Sequence, residues 1–169
     1  MLIRHAQPDD ALAIARVHVR AWQVGYRHLL PGDYLVQLRA EERARHYDFA
    51  NQDKLRPKTL VAIEDGAIRG FATTAPSYDA DTHDCGELCA LYVDPDCWGH
   101  GLGSALLSAA RQHLTEQGYR DAVLWLLAGN DRAARIYRAD AWAPDGQART
   151  ECIWGITVDE IRYRRSLHS

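Results

Sequence analysis

Three glycines at alternate positions, Gly99, Gly101 and Gly103, follow an apolar run, Leu91-Tyr92-Val93, that stops at Pro95. An amphipathic stretch carrying Leu102, Leu106, Ala109 and Leu114 follows at once. Glycine has no Cβ, so backbone there can come close to a ligand. A helix start offers unpaired N–H groups at the positive end of its dipole. Strand, glycine turn and helix together are a device for holding a pyrophosphate. A P-loop would need a lysine and then Ser or Thr after the last glycine; Ser104 follows Gly103 and no lysine is present. A dinucleotide fingerprint would need glycine where Ser104 stands, the sixth position of the motif counted from Gly99. A turn that only packs a helix onto a strand remains open from this block alone.

A second block lies well apart. Asp121 to Leu127 is a continuous apolar run of strand length, as expected for a strand buried on both faces. Ala128-Gly129-Asn130 breaks it, and the segment from Asp131 to Arg138 reads as a helix that Asn130 caps, with Tyr137 seven positions on.

These two blocks together resemble the GNAT superfamily, the GCN5-related N-acetyltransferases. Trp98-Gly99-His100-Gly101-Leu102-Gly103 fits that family's acyl-coenzyme A loop, (Gln/Arg)-x-x-Gly-x-(Gly/Ala) after "V-x-P", except at its first position. Asn130 and Tyr137 match the family's later block in type and spacing. Ala21-Trp22, Tyr26, Leu29-Leu30-Pro31 and Tyr34-Leu35 look like the N-terminal text of a common subgroup. The resemblance implies acetyl-CoA as co-substrate, no metal, and a primary amine as acceptor, with direct transfer while both are bound. A non-catalytic acyl-CoA-binding or sensing domain of the same fold is the alternative.

By the same resemblance, the backbone of Leu91, Tyr92 and Val93 pairs with the pantetheine arm, and the Val93 N–H polarises the thioester carbonyl. N–H groups of Gly99, His100, Gly101, Leu102, Gly103 and Ser104, with Trp98 heading the loop, meet the pyrophosphate. Asn130 contacts the cofactor by its amide or caps its helix. Tyr137 is the expected proton donor to the departing thiolate, since an unperturbed tyrosine titrates near pH ~10 and keeps its proton at neutrality. Glu87, six residues before Val93, stands where several family members carry the general base. Strand alternation puts Glu87, Cys89, Leu91 and Val93 on one side unless a bulge intervenes. The resemblance implies an acceptor cleft built from the first two helices and the loop before the Glu87 strand, where Trp22, Tyr26, Tyr34 and Tyr78, with Asp79, Asp81 and Asp84 nearby, suit a cationic amine. Trp98 for Gln/Arg, and Ala141-Trp142 where the family often has Gly-Phe, are departures.

The elements that must position these residues read as follows. A short strand at Ile3 to Ala6 precedes a helix from Asp9 or Asp10 through Tyr26. One or two helical pieces lie between Asp33 and Asn51. Thr59 to Glu64 and Ala67 to Thr74 form a hairpin about Asp65-Gly66. After the loop from Pro76 to Asp84, a strand from Gly86 to Asp94 leads into the glycine turn, and the helix from about Gly99 ends at Gly118. Strands near Thr150 to Ile156 and Glu160 to Ser166 follow the Tyr137 helix. The order β-α-α-β-β-β-α-β-α-β-β is that of the GNAT fold: an α/β sandwich around a mixed, mostly antiparallel central sheet flanked by helices, in one domain over residues 1–169.

The formal net charge of −3 gives no basic footprint for nucleic acid and no polybasic membrane anchor. No apolar run is long enough to span a bilayer, and the first residues lack a signal-peptide core, so a cytoplasmic location is expected. Cys85, Cys89, Cys97 and Cys152 form no zinc spacing with the histidines. A homodimer is compatible with all of this.

Overall fold

The computed structural model describes residues 1–168. Seven strands form one sheet in the order β1-β2-β3-β4-β5-β7-β6. They are β1 (Leu2–His5), β2 (Lys58–Glu64), β3 (Ala67–Pro76), β4 (Cys85–Val93), β5 (Asp121–Leu127), β6 (Ala143–Ile153) and β7 (Ile156–Ser166). Helices α1 (Ala11–Gly25), α2 (Gly32–Leu35) and α3 (Ala40–Ala44) precede β2; α4 (Leu102–Glu116) and α5 (Asp131–Ala139) flank β5 in sequence. Every strand pair is antiparallel except β4 with β5. That matches the expected mixed sheet.

The boundaries differ from expectation where glycine or turn geometry intervenes. Asp65 (φ 52°) and Gly66 (φ 76°) form the β2–β3 turn with both central residues left-handed. Gly99 (φ 83°) and Gly101 (φ 85°) are also left-handed, so α4 starts at Leu102 rather than near Gly99. Trp154 (φ 52°) and Gly155 (φ 81°) turn the chain inside the segment expected as one strand, Thr150 to Ile156, making β6 and β7 a hairpin. Between Asp33 and Asn51 only two short helices form, α2 ending at Leu35 and α3 at Ala44.

Two layers cover the sheet. On one face α4 and α5 bury Leu106, Leu107 and Leu114 against Leu88, Leu124 and Trp142. A Cβ on Gly86 would lie 2.6 Å from Leu114 Cδ2, and one on Gly70 2.9 Å from Leu106 Cδ1, so these glycines let α4 sit close to the sheet. On the other face α1 and the segment after it pack Ile14, Val17 and Trp22 toward Phe71, Ala90 and Tyr92. The apolar positions of α1 recur at helical spacing, which is why one side of it is buried.

The loop from Pro76 to Asp84 is tied down by Arg162, whose side chain is only 4% exposed. Arg162 donates to Asp79 at 3.2 Å, to Asp81 at 2.6 and 2.8 Å and to Asp145 at 2.7 Å. Asp79 also accepts from the Trp125 indole at 3.0 Å, and Arg149 stacks over that ring at 4.1 Å. This paired charge holds the carboxyl of Asp81 at about 2, chiefly through its hydrogen bonds with Arg162.

Candidate active site

Strands β4 and β5 pair only from Cys85 opposite Asp121 to Leu88 opposite Leu124. Beyond Leu88 the two strands separate, and a cavity of about 870 Å³ runs through the gap, lined from both faces of the sheet. The Asp94 N–H donates to the Arg69 carbonyl at 2.7 Å, which fixes the alternation of the β3–β4 ladder. Leu91 and Val93, opposite Ala72 and Gly70, therefore turn their N–H groups away from β3, toward the gap. The Val93 carbonyl is already engaged, accepting from the Trp98 indole at 2.9 Å. Trp98 thus ties the loop to the end of β4, a role that its type did not disclose.

At the loop itself, the first bond into α4 runs from the Ala105 N–H to the Gly101 carbonyl at 3.1 Å. The N–H groups of Leu102, Gly103 and Ser104 precede it and have no partner within the helix. No atom lies within 4 Å of a Cβ built on Gly99 or Gly101, so the turn is open on its outer side. Gly99, Gly101, Leu102, Gly103 and Ser104 all line the cavity. His100 does not, and its N–H donates to the Cys97 carbonyl at 3.3 Å, so it is not free for a ligand. Arg132, near the start of α5, lies over the Trp98 ring at 3.6 Å and also lines the cavity. These features fit a pyrophosphate-bearing acyl-CoA: unpaired donors, a positive helix end and a cation beside them.

Asn130 caps α5, its Oδ1 accepting from the Ala133 N–H at 3.2 Å, and it lines the cavity as well. Tyr137 projects from α5 into the same space, buried, with its ring edge-on to Trp142 at 6.2 Å. Its hydroxyl makes no hydrogen bond among the described residues. Burial, reinforced by Tyr92, raises its pKa well above the ordinary value, so the proton stays on oxygen.

The opposite face contributes an aromatic chamber. His18 stacks on Tyr92 at 4.8 Å, meets Trp154 at 4.9 Å and contacts the Tyr47 hydroxyl through Nδ1 at 2.9 Å. Burial, with the charge of Arg43, holds His18 well below its usual pKa, so the ring is neutral near pH 7. Trp22 and Tyr26 line this chamber. Tyr34 and Tyr78 lie outside it. The Tyr34 hydroxyl donates to the Trp154 carbonyl at 2.6 Å, and Tyr78 is 73% exposed with its hydroxyl on the Leu55 carbonyl. Asp79 and Asp81 are paired with Arg162, and neither they nor Asp84 lines the cavity.

Glu87 is also displaced from expectation. Thr73 pairs with Ala90 but Thr74 with Leu88, leaving Cys89 as the extra residue of a bulge in β4. Leu88 and Leu91 consequently both face α4, and Glu87 lies on the side of Ala90 and Tyr92, not of Leu91 and Val93. It does not line the cavity; Cys89, Trp125 and Glu160 do. Burial pushes the Glu87 carboxyl up to about 7, with Asp79 adding to the rise and Arg149 opposing it. Glu160, held by Arg149 at 2.9 Å, and Arg43 are lining residues that sequence reasoning missed. Neither belongs to a motif, and both reach the site only through tertiary packing.

Residues 22–141 match the model of the Acetyltransferase (GNAT) family. The chain belongs to the GNAT family of acetyltransferases. It is 29% identical over 165 residues to the uncharacterized N-acetyltransferase YuaI of Bacillus subtilis, covering 94% of this chain and 89% of that protein. It is 44% identical over 140 residues to the mycothiol acetyltransferase of Actinosynnema mirum, covering 80% of this chain but only 42% of that longer protein. Its fold is similar to that of the PaiA N-acetyltransferase of Thermoplasma acidophilum, solved in complex with coenzyme A: TM-score 0.71 at 18% identity, covering 98% of each chain. Among the described residues no helix is long and apolar enough to cross a membrane, and no cluster of His, Cys, Asp and Glu could hold a metal ion.

Proposed function

We propose that this acetyltransferase moves an acetyl group from acetyl-CoA to a primary amine by direct transfer, with both substrates in the one cavity. The observation that carries this reading is two sets of unpaired N–H groups, those of Leu91 and Val93 at the β4–β5 gap and those of Leu102, Gly103 and Ser104 at the start of α4, with the proton-bearing Tyr137 hydroxyl in the same space. Acetyl-CoA supplies an activated thioester carbonyl. Leu91 and Val93 hold the pantetheine as an added strand in the β4–β5 gap, and the Val93 N–H polarises the carbonyl. The N–H groups of Leu102, Gly103 and Ser104, with the dipole of α4, hold the pyrophosphate. Arg132, seated on Trp98, supplies the positive side chain that the loop's first position lacks. The amide nitrogen of Asn130 remains available to the donor while its oxygen caps α5.

Proton traffic falls to two side chains. Tyr137 gives its proton to the departing sulfur as the C–S bond breaks and the N–C bond forms. Glu87, near half-ionised at neutrality, takes the amine proton through a bridging water, because it stands behind the cavity wall rather than on it. The released-thiol assay with a panel of amines tests the proposal. Amine-dependent CoA release is expected, and binding of acetyl-CoA without any turnover across amines of every charge would refute it.

A further inference from the structure

The chamber on the α1 face contains a cation that the protein itself does not neutralise. Arg43, at the end of α3, lines the cavity with its guanidinium 5.0 Å from the Trp154 ring and 5.4 Å from the Tyr47 ring. No carboxylate lies within ion-pair distance of it among the described residues. Its Nε is buried with no hydrogen-bond partner. Arg56 and Arg132 also line the cavity without an ion-pair partner among the described residues, but Arg43 is the arginine with a buried nitrogen left unbonded; outside the cavity, Arg162 is met by Asp79, Asp81 and Asp145, and Arg149 by Glu160. Arg20 reaches Asp94 and Asp96. An arginine held between two rings, with a buried donor unsatisfied, is costly unless something completes its bonding. Guanidinium presents a planar fork of donors that matches a carboxylate or phosphate in two bonds.

From this we infer that the acceptor amine carries an anionic group, a carboxylate or a phosphate-type oxyanion, that docks on Arg43, with its body against the aromatic walls of the chamber. The acceptor class is thus an amino acid or another amino-bearing acid. The inference rests on the transfer reading above for the word acceptor, but the anion site itself does not. His18, neutral and with its Nδ1 on the Tyr47 hydroxyl, adds no second cation, so Arg43 is the positive group of the aromatic walls. Two carboxylates line the cavity and neither is within ion-pair distance of Arg43: Glu160 is occupied by Arg149, and Asp48 accepts from the Asn51 amide at 3.3 Å.

Two measurements test the inference. In the first, tryptophan fluorescence of the CoA-loaded protein is titrated with benzoate and, separately, with benzamide. Benzoate is expected to bind saturably and to lose about 10- to 100-fold in affinity in Arg43→Gln, the cost of a charge-assisted bidentate contact. Arg43→Lys should keep part of the binding, and benzamide should be indifferent to either change. Benzoate that fails to bind, or binds equally to Arg43→Gln, overturns the anion site. Unchanged CoA affinity in both variants shows that they are folded. In the second, turnover is compared across matched sets of amino acid, amino acid amide, decarboxylated amine and amino-alkyl phosphate. The anionic members are expected to lead, carboxylate against phosphate naming the group, with KM rising about 10- to 100-fold in Arg43→Gln. A neutral or cationic amine as best acceptor overturns the inference while leaving acetyl transfer intact. No turnover with any amine, together with benzoate binding that depends on Arg43, overturns the transfer reading and leaves the anion site standing.

Discussion

Replacing Glu87 by Gln should slow the enzyme and steady the fold, and both effects follow from one buried carboxyl. Burial, then the nearby charge of Asp79, moves this group from 4.5 to about 7. As a base it must be ionised, so the rate should climb as pH rises and level off above pH 7. At pH 6 the rate should stand about tenfold below the plateau. Glu87→Gln should remove that limb. Asp79→Asn takes away a like charge and should shift the limb to lower pH, whereas Arg149→Gln takes away a favourable charge and should shift it higher. For stability the sign is the reverse. A carboxyl whose folded pKa is raised favours folding when protonated, fully so below about pH 4.5, and that contribution is lost as pH rises through about 7. The rise corresponds to at most roughly 3 kcal/mol of cost for the ionised form above pH 7. Glu87→Gln should therefore melt several degrees above the wild type at pH 8 and level with it at pH 4. The assay is kcat/KM against pH at constant ionic strength, with thermal melts in the same buffers. A profile without an inflection near pH 7, or one that Asp79→Asn and Arg149→Gln shift in the same direction, would refute this assignment.

Three further outcomes are expected. Tyr137→Phe should lower kcat by roughly 10²- to 10⁴-fold while acetyl-CoA affinity holds, because the ring still packs; rapid-quench rates and calorimetry separate the two. Gly101→Val should weaken acetyl-CoA binding markedly, since a β-branched residue is strained at φ 85° and its side chain enters the open outer side of the turn; calorimetry on the folded variant checks it. Arg162→Met should lower Tm by about 5–10 °C at pH 7 by leaving Asp79, Asp81 and Asp145 without their cation, and part of the loss should disappear under acid conditions that protonate them.

How far the chain could be read in advance depended on whether the signal was local. The loop from Trp98 to Ser104, the strand before it, and Asn130 with Tyr137 are set by contiguous residue types, and apart from His100 the loop residues line one cavity with Asn130 and Tyr137. Helix α4 started three residues later than expected, because Gly99 and Gly101 adopt left-handed backbone that no helix continues through. Strand β6 begins at Ala143, well before Thr150, because the irregularity between Pro144 and Ala148 hides its pairing with β7 from any alternation pattern. The side on which Glu87 falls turned on a single bulged residue, Cys89. The aromatic chamber on the α1 face was the least readable part. His18, Tyr47, Tyr92 and Trp154 share no motif and meet only when the α1 face is assembled, and the acidic loop is neutralised by Arg162 from β7.

The measurement that bears most directly on the account is an initial-velocity study in which acetyl-CoA and the acceptor amine are varied together. Direct transfer in a shared cavity predicts reciprocal plots that intersect, with no acetylated protein detectable by mass spectrometry before acceptor is added. Parallel plots, with an acetyl group found on Cys89 in the cavity wall, would contradict it.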